Sequence, residues 1–277
     1  MSSFAPAAVG ACAGFVLGLG AAVAYARTRR RSGGGGLAAR SEAGGGHVPR
    51  HIAFIMDGNR RYGASAFGPA RRLEGHAAGG RKLGEVVEWC VGAGVRECTV
   101  FAFSTENWRR DSGEVALLMK TFLDQSVEIL ARARERRIRC NVLCSDPSRL
   151  PADVAARLRT LEDETRGHTA FTLNLAVSYG ARSELANAAR ALAERARDGA
   201  LDVAAIDEAA LGAELSLTSA PDLLVRTSGE RRLSNFLLWQ MAYTELLFLD
   251  KHWPELEKRD FDAVLAEYAR RARRFGK

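Results

Sequence analysis

The 277 residues contain no Walker-type GxxxxGK(S/T) loop and no GxGxxG fingerprint. Neither of the common glycine cradles for nucleotide phosphates is therefore present, which argues against a nucleotide cofactor. There is also no CxxC pair. The five cysteines (12, 90, 98, 140 and 144) are an odd number, and Cys140 and Cys144 stand four apart across an apolar run. That pattern suits neither a disulfide framework nor a thiolate metal site, and it fits reduced, buried thiols. Basic excess is missing where a nucleic-acid binder would need it. Of the net charge of +7, most lies in residues 27–50, which carry six arginines against Glu42. The remainder of the chain is close to neutral, so no nucleic-acid partner is expected. No internal repeat occurs.

Charge is absent altogether from residues 1–26. Phe4 to Ala26 is an uncharged run of 23 residues rich in Ala, Gly and Val, followed by Arg27, Arg29, Arg30 and Arg31. The run is long enough to cross the bilayer core of about 30 Å as a helix. The arginines behind it predict a membrane anchor with the main domain on the cytosolic side, at the endoplasmic reticulum if the chain is eukaryotic. A cleaved organelle-targeting peptide is the alternative, because Glu42 is the first acidic residue. Ser32 to Gly46, with its two glycine clusters, reads as a flexible tether. The expected organisation is an anchor over 1–26, a basic, Gly-rich linker over 27–47 and one folded domain over 48–277, with membrane lipid among its partners.

Within that domain, short apolar runs alternate with amphipathic stretches. Ile52 to Met56, Cys98 to Phe103, Ile138 to Leu143, Phe171 to Val177, Leu223 to Val225 and Glu245 to Phe248 read as strands. Helices are predicted from Gly75 to Cys90, from about Glu114 to Arg134, after Pro151, from Arg182 onward and from about Asp260 to Arg273. The alternation predicts an α/β fold with a central, mostly parallel sheet flanked by helices.

The polar residues gather where these strands stop. Ile52 to Met56 runs into Asp57-Gly58-Asn59-Arg60-Arg61, Cys98 to Phe103 into Ser104-Thr105-Glu106-Asn107-Trp108-Arg109-Arg110, and Leu223 to Val225 into Arg226-Thr227-Ser228-Gly229-Glu230. In a parallel sheet these ends share one rim, which is where open α/β sheets bind ligands. Arg60, Arg61, Arg72, Arg110, Arg226 and Arg232 could all reach it. Guanidinium forks match phosphate oxygens, and so many of them imply more negative charge than one carboxylate carries; a diphosphate fits. Asp57 and Glu245 are then candidates to hold Mg²⁺ against that diphosphate. His76, following Gly75, is a cap or packing residue as readily as a catalyst.

Taken together, His51…Ile55-Met56-Asp57-Gly58-Asn59-Arg60-Arg61 with Gly75-His76, Phe103-Ser104-Thr105-Glu106-Asn107-Trp108, Arg226-Thr227-Ser228-Gly229-Glu230…Arg232-Leu233-Ser234-Asn235-Phe236, Trp239-Gln240 and Glu245 resemble the cis-prenyltransferases, the undecaprenyl and dehydrodolichyl diphosphate synthases. The resemblance covers about residues 48–277. It implies an undecaprenyl diphosphate synthase-like domain with an apolar product tunnel. It also implies successive condensation of isopentenyl diphosphate, in cis, onto an allylic primer such as farnesyl diphosphate, giving a long polyprenyl diphosphate carrier for glycosylation. By motif, Asp57 is the essential carboxylate, assisted by Asn107 and His76. Gly58, Asn59, Arg60, Arg61, Arg72 and His76 would cradle the allylic diphosphate, with Arg110 beside them. Arg226, Arg232 and Ser234 would bind isopentenyl diphosphate, with Asp57 and Glu245 on Mg²⁺. Glu114 opens the helix flanking the tunnel, or simply complements that helix's dipole. Arg274 and Gly276 match an Arg-x-Gly motif that completes the site from a neighbouring subunit, which implies a homodimer. A partner-dependent or non-catalytic subunit is the alternative, though such a subunit would be expected to lose Asp57 and the arginines. Four departures stand out: Tyr62-Gly63 where Trp-Ala is common, Cys144-Ser145-Asp146 in place of Gly-Asp, Gly180-Ala181 in place of Gly-Gly, and Arg231 where bacterial members often have His.

Overall fold

A computed structural model describes residues 48–271. The apolar runs behave as their composition requires. β1 (His51–Ile55) is buried at all five positions, which a strand reaches only when covered on both faces. It lies between β2 (Glu97–Ser104) and β5 (Leu223–Arg226), pairing Ile52 with Cys98 on one side and with Leu223 on the other. Among the described residues, β3 (Ile138–Leu143), β4 (Phe171–Tyr179) and β6 (Glu245–Phe248) complete a six-stranded sheet in the order β3-β4-β2-β1-β5-β6, every pairing parallel.

Alternate side chains of β1 feed two cores. Ile52 and Phe54 point to the face packed by α2 (Gly75–Gly92), α3 (Ser112–Arg136), α4 (Ala152–Thr165) and α7 (Lys258–Arg270), through Val86, Leu118, Leu158, Phe261 and their neighbours. Ala53 and Ile55 point to the other face. There α5 (Ala181–Arg197) is joined by Leu217, Phe236, Leu237 and Met241, which lie outside any helix. Phe236 stacks on Phe101 at 4.5 Å between ring centroids and meets Tyr179 edge-on. The buried Glu184 accepts from the Tyr179 hydroxyl at 2.6 Å, from Ser216 N–H at 2.9 Å and from Gln240 at 3.2 Å, pinning this segment to α5. Two short helices went unread in the sequence: α1 (Asn59–Phe67), directly behind Gly58, and α6 (Glu208–Ala213).

One expectation is corrected. No helix among the described residues is long and apolar enough to cross a membrane. Even the longest, α3, carries Glu114, Lys120, Asp124, Glu128, Arg132, Arg134, Glu135 and Arg136, and spanning helices do not tolerate that charge. The expected anchor over 1–26 and linker over 27–47 lie outside the described residues. The membrane-anchored localisation read from them, with its reticulum or organelle compartment and membrane-lipid partner, is not upheld.

The N-terminal edge of the sheet holds a buried polar network. His51 Nε2 lies 2.7 Å from Thr99 Oγ1, Asn174 Nδ2 donates to both Thr99 and Glu97, and Ser219 donates to Glu97 at 2.8 Å. The Asp222 carboxylate accepts from the Arg50 and His51 N–H groups. Burial pushes the His51 pKa down, against the opposing charges of Glu97 and Asp222. Unfolded His51 takes up a proton below about pH 6.5, whereas the folded protein resists it. Stability therefore falls as pH drops below about 6.5 and levels off once the folded His51 titrates. Thermal melts at pH 7.5 and 5.5 should show this loss, and His51→Gln should lose less.

Candidate functional site

Where β1 stops, Thr227 ties it to the end of β5. The Thr227 hydroxyl donates to Asp57 O at 2.7 Å and accepts from Asp57 N–H at 3.0 Å. Gly58 then takes φ +95°, and a Cβ there would lie 2.7 Å from both His252 Nδ1 and Ser228 Oγ. Only glycine meets both demands. The chain turns straight into α1, whose N-terminus has no side-chain cap. Its first-turn N–H groups are a ready anion site.

A cavity of about 450 Å³ opens over that helix start, lined by Asp57, Gly58, Asn59, Arg60, Arg61, Arg72, His76 and Arg110, together with Met56 and Ala64. Eight residues singled out by motif thus face one space. They are held in place by backbone contact: an added Cβ at Gly75 would fall 1.8 Å from Asn59 O, and one at Gly63 2.1 Å from Arg72 O. The Tyr62-Gly63 departure therefore lets α1 touch the main chain of Arg72.

The carboxylate of Asp57 is shared. Oδ1 accepts from Gly58 N–H at 2.7 Å and from Arg61 at 3.3 Å, while Oδ2 accepts from Arg226 Nη2 at 2.9 Å. Burial would raise its pKa, but the hydrogen bonds from Arg226 and Gly58 and the charges of Arg226 and Arg61 outweigh this and hold it below the usual carboxylate range. Arg226 is 3 % exposed. Its Nη1 donates to Ser234 Oγ at 2.8 Å and to the Arg232 carbonyl. The Arg232 guanidinium pairs with Glu230 in the open. Arg226, Arg232 and Ser234 thus form a second cluster behind Asp57, built on a segment where Ser228, Ser234, Asn235 and Leu237 all have positive φ. Such strain in non-glycine residues gathers at functional sites.

His76 lies 3.5 Å from Glu114, and burial and the Arg110 charge lower its pKa against the pull of Glu114. Neutral imidazole is the form at neutral pH. Asn107 serves its own turn: its Oδ1 accepts from Ser104 N–H at 3.1 Å while Ser104 Oγ accepts from Asn107 N–H. Arg274 and Gly276 lie outside the described residues. Glu245 is not brought to Asp57 within one subunit. It opens β6, level with Leu223 and so with Ile52, whereas Ile55 is about 10 Å further along and Asp57 lies beyond that. Its carboxylate accepts from Arg271 at 3.0 Å.

No cluster of three His, Cys, Asp or Glu side chains able to hold a metal occurs among the described residues. Mg²⁺ usually rests on one or two carboxylates with substrate phosphate and water completing the shell. Asp57, on the cavity wall beside the arginines, fits that mode, and Glu245, at the opposite end of the sheet, does not.

A second cavity of about 510 Å³ shares Arg110 and is mainly apolar, lined by Trp108, Val115, Met119, Leu123, Pro151 and Val154 among others. It lies between α3 and α4. His252, 2.8 Å from Ser228 and against Gly58, was missed in the sequence. Its signal was available, since His252 follows β6 at the same rim.

The family described as putative undecaprenyl diphosphate synthase matches residues 55–276. This chain belongs to that family. A ditrans,polycis-undecaprenyl-diphosphate synthase specific for (2E,6E)-farnesyl diphosphate, from Xanthomonas axonopodis pv. citri, is 45 % identical over 83 % of this chain and 89 % of its own length. A tritrans,polycis-undecaprenyl-diphosphate synthase specific for geranylgeranyl diphosphate, from Thermococcus kodakarensis, is 42 % identical over 84 % of this chain and 88 % of its own. Lavandulyl diphosphate synthase from Lavandula x intermedia, solved with dimethylallyl diphosphate, has a TM-score of 0.78 at 33 % identity, covering 83 % of this chain and 98 % of that one. The family match takes in every candidate residue, Arg274 and Gly276 included.

Because Gly75 touches Asn59 O, Gly75→Ala should force α1 and α2 apart. We expect destabilisation of about 1–3 kcal/mol in thermal melts, with phosphate-ligand affinity reduced at temperatures where the variant remains folded.

Proposed function

We propose that this cis-prenyltransferase extends farnesyl diphosphate, or a related allylic diphosphate, with isopentenyl diphosphate in an Mg²⁺-dependent reaction that yields a long polyprenyl carrier lipid. The observation that carries the reading is the convergence of Asp57, Asn59, Arg60, Arg61, Arg72, His76 and Arg110 on one cavity at an uncapped helix N-terminus. Arg60, Arg61, Arg72 and Arg110 hold the allylic diphosphate with the α1 N–H groups. They stabilise its charge as the C1–O bond breaks. Arg226 and Ser234, with Arg232, orient the second diphosphate so that C4 of isopentenyl diphosphate bonds to C1. Loss of a proton from C2 then leaves the new double bond. Asp57 would hold Mg²⁺, which when bound neutralises diphosphate charge and favours its departure. The apolar cavity sharing Arg110 supports a hydrocarbon tail running out along α3 as the product tunnel.

Close relatives differ in their allylic primer, and nothing in either comparison favours the alternative of a partner-dependent subunit. The position of Glu245, far from its own Asp57, supports a homodimer in which Glu245 and Arg274-x-Gly276 serve a neighbouring site. The edge strand β6, with Tyr243 exposed beside it, supports the same reading.

The test is incorporation of labelled isopentenyl diphosphate by the purified chain with farnesyl or geranylgeranyl diphosphate and Mg²⁺, products resolved by length. A ladder of long products is expected, and Asp57→Ala should lower kcat/KM by at least about 10²-fold at temperatures where the variant, which strands buried Arg226, remains folded. Full activity in that variant would remove the role given to Asp57. Co-expressed Asp57→Ala and Glu245→Gln chains should regain about a quarter of the activity if sites are completed across the dimer; no recovery would count against the shared site.

A further inference from the structure

We propose that Glu114 is the positioning residue of the allylic-diphosphate cradle, gathering two guanidinium groups and an imidazole from three separate elements onto one point and so governing affinity for the allylic diphosphate alone. The inference rests on the reading of the cavity given above. Glu114 sits in the first turn of α3 and is only 4 % exposed. Its Oε1 accepts from Arg110 Nη1 at 2.9 Å and lies 3.5 Å from His76 Nε2; its Oε2 lies 3.5 Å from Arg60 Nη1. Arg60 comes from α1, His76 from α2, and Arg110 from the turn behind β2.

Complementing the dipole of α3 does not account for this arrangement. A first-turn carboxylate does that without being buried to this extent, and burying one is costly unless partners surround it. A guanidinium has five N–H donors. Each arginine can therefore be held by Glu114 and still present donors to the cavity, and both remain substantially exposed. Without the carboxylate, Arg60 and Arg110 would repel each other across a space that no other acidic side chain lining the cavity occupies, Asp57 being engaged by Arg61 and Arg226. The Arg226–Ser234 cluster makes no contact with Glu114. The two substrates should therefore respond differently.

The experiment is steady-state kinetics of the full chain with Glu114→Gln and Glu114→Asp, each substrate varied in turn, alongside thermal melts. Glu114→Gln should raise the allylic KM on the order of tenfold or more and leave the isopentenyl KM within about twofold, with Glu114→Asp intermediate. Combining Glu114→Gln with Arg110→Ala should cost less than the product of the single effects, since the first acts partly through the second. A lowered melt with both KM values unchanged, or moved together, would make Glu114 a structural carboxylate and overturn the proposal. Calorimetric binding of inorganic diphosphate gives a readout independent of turnover. If the wild-type chain makes no lipid from any allylic diphosphate, the functional reading fails, but weaker diphosphate binding by Glu114→Gln would still uphold the cradle. Equal binding would overturn it.

Discussion

The ion pair between Asp57 and the buried Arg226 joins everything else at the rim. A guanidinium that is 3 % exposed persists only because Asp57, Ser234 and the Arg232 carbonyl hold its two Nη groups, its Nε having no partner. Breaking such a pair from one side typically costs about 3–5 kcal/mol, because a charge is left stranded. The same carboxylate receives Arg61 and the N–H of Gly58, so it also sets where α1 begins. One side chain therefore couples the strand end, the helix start and the two arginine clusters. The parallel register of β1 and β5 makes this possible by placing Ile55 beside Arg226.

Charge at the rim is arranged in opposed pairs before any ligand arrives. Arg61 and Arg226 lean on Asp57, Arg60 and Arg110 lean on Glu114, and Arg232 leans on Glu230. Cations held this way would need little rearrangement for an anionic ligand to take their free donors, which is the preorganisation that electrostatic stabilisation depends on.

Much of this was legible from residue order. Strand positions followed from short apolar runs, and β3 and β6 fell where Ile138 to Leu143 and Glu245 to Phe248 predicted them. Three polar strand ends on adjacent strands gave the rim. What stayed hidden was set by tertiary contact. Nothing local shows that Asn107 spends its amide oxygen on Ser104, or that Glu114 is buried beneath Arg60, His76 and Arg110. The place of Glu245 depends on register, since a residue opening a strand and one following a strand lie at opposite edges of a parallel sheet. α1 escaped notice because Arg60 and Arg61 look like a solvated turn until Gly63 and Gly75 bring two backbones into contact.

The stretch between β5 and β6 covers one face of the sheet without forming a helix, and the same stretch supplies Ser234 and the Arg232 carbonyl to Arg226. Its hold comes from Phe236, Leu237 and the clasp at Glu184, not from a hydrogen-bonded repeat. Segments secured in that manner open locally at lower free energy than the strands they cover. On warming, the Arg226–Ser234 cluster would come apart while the cavity over α1 still stood, and the rim would lose one of its two arginine clusters before the protein lost its shape.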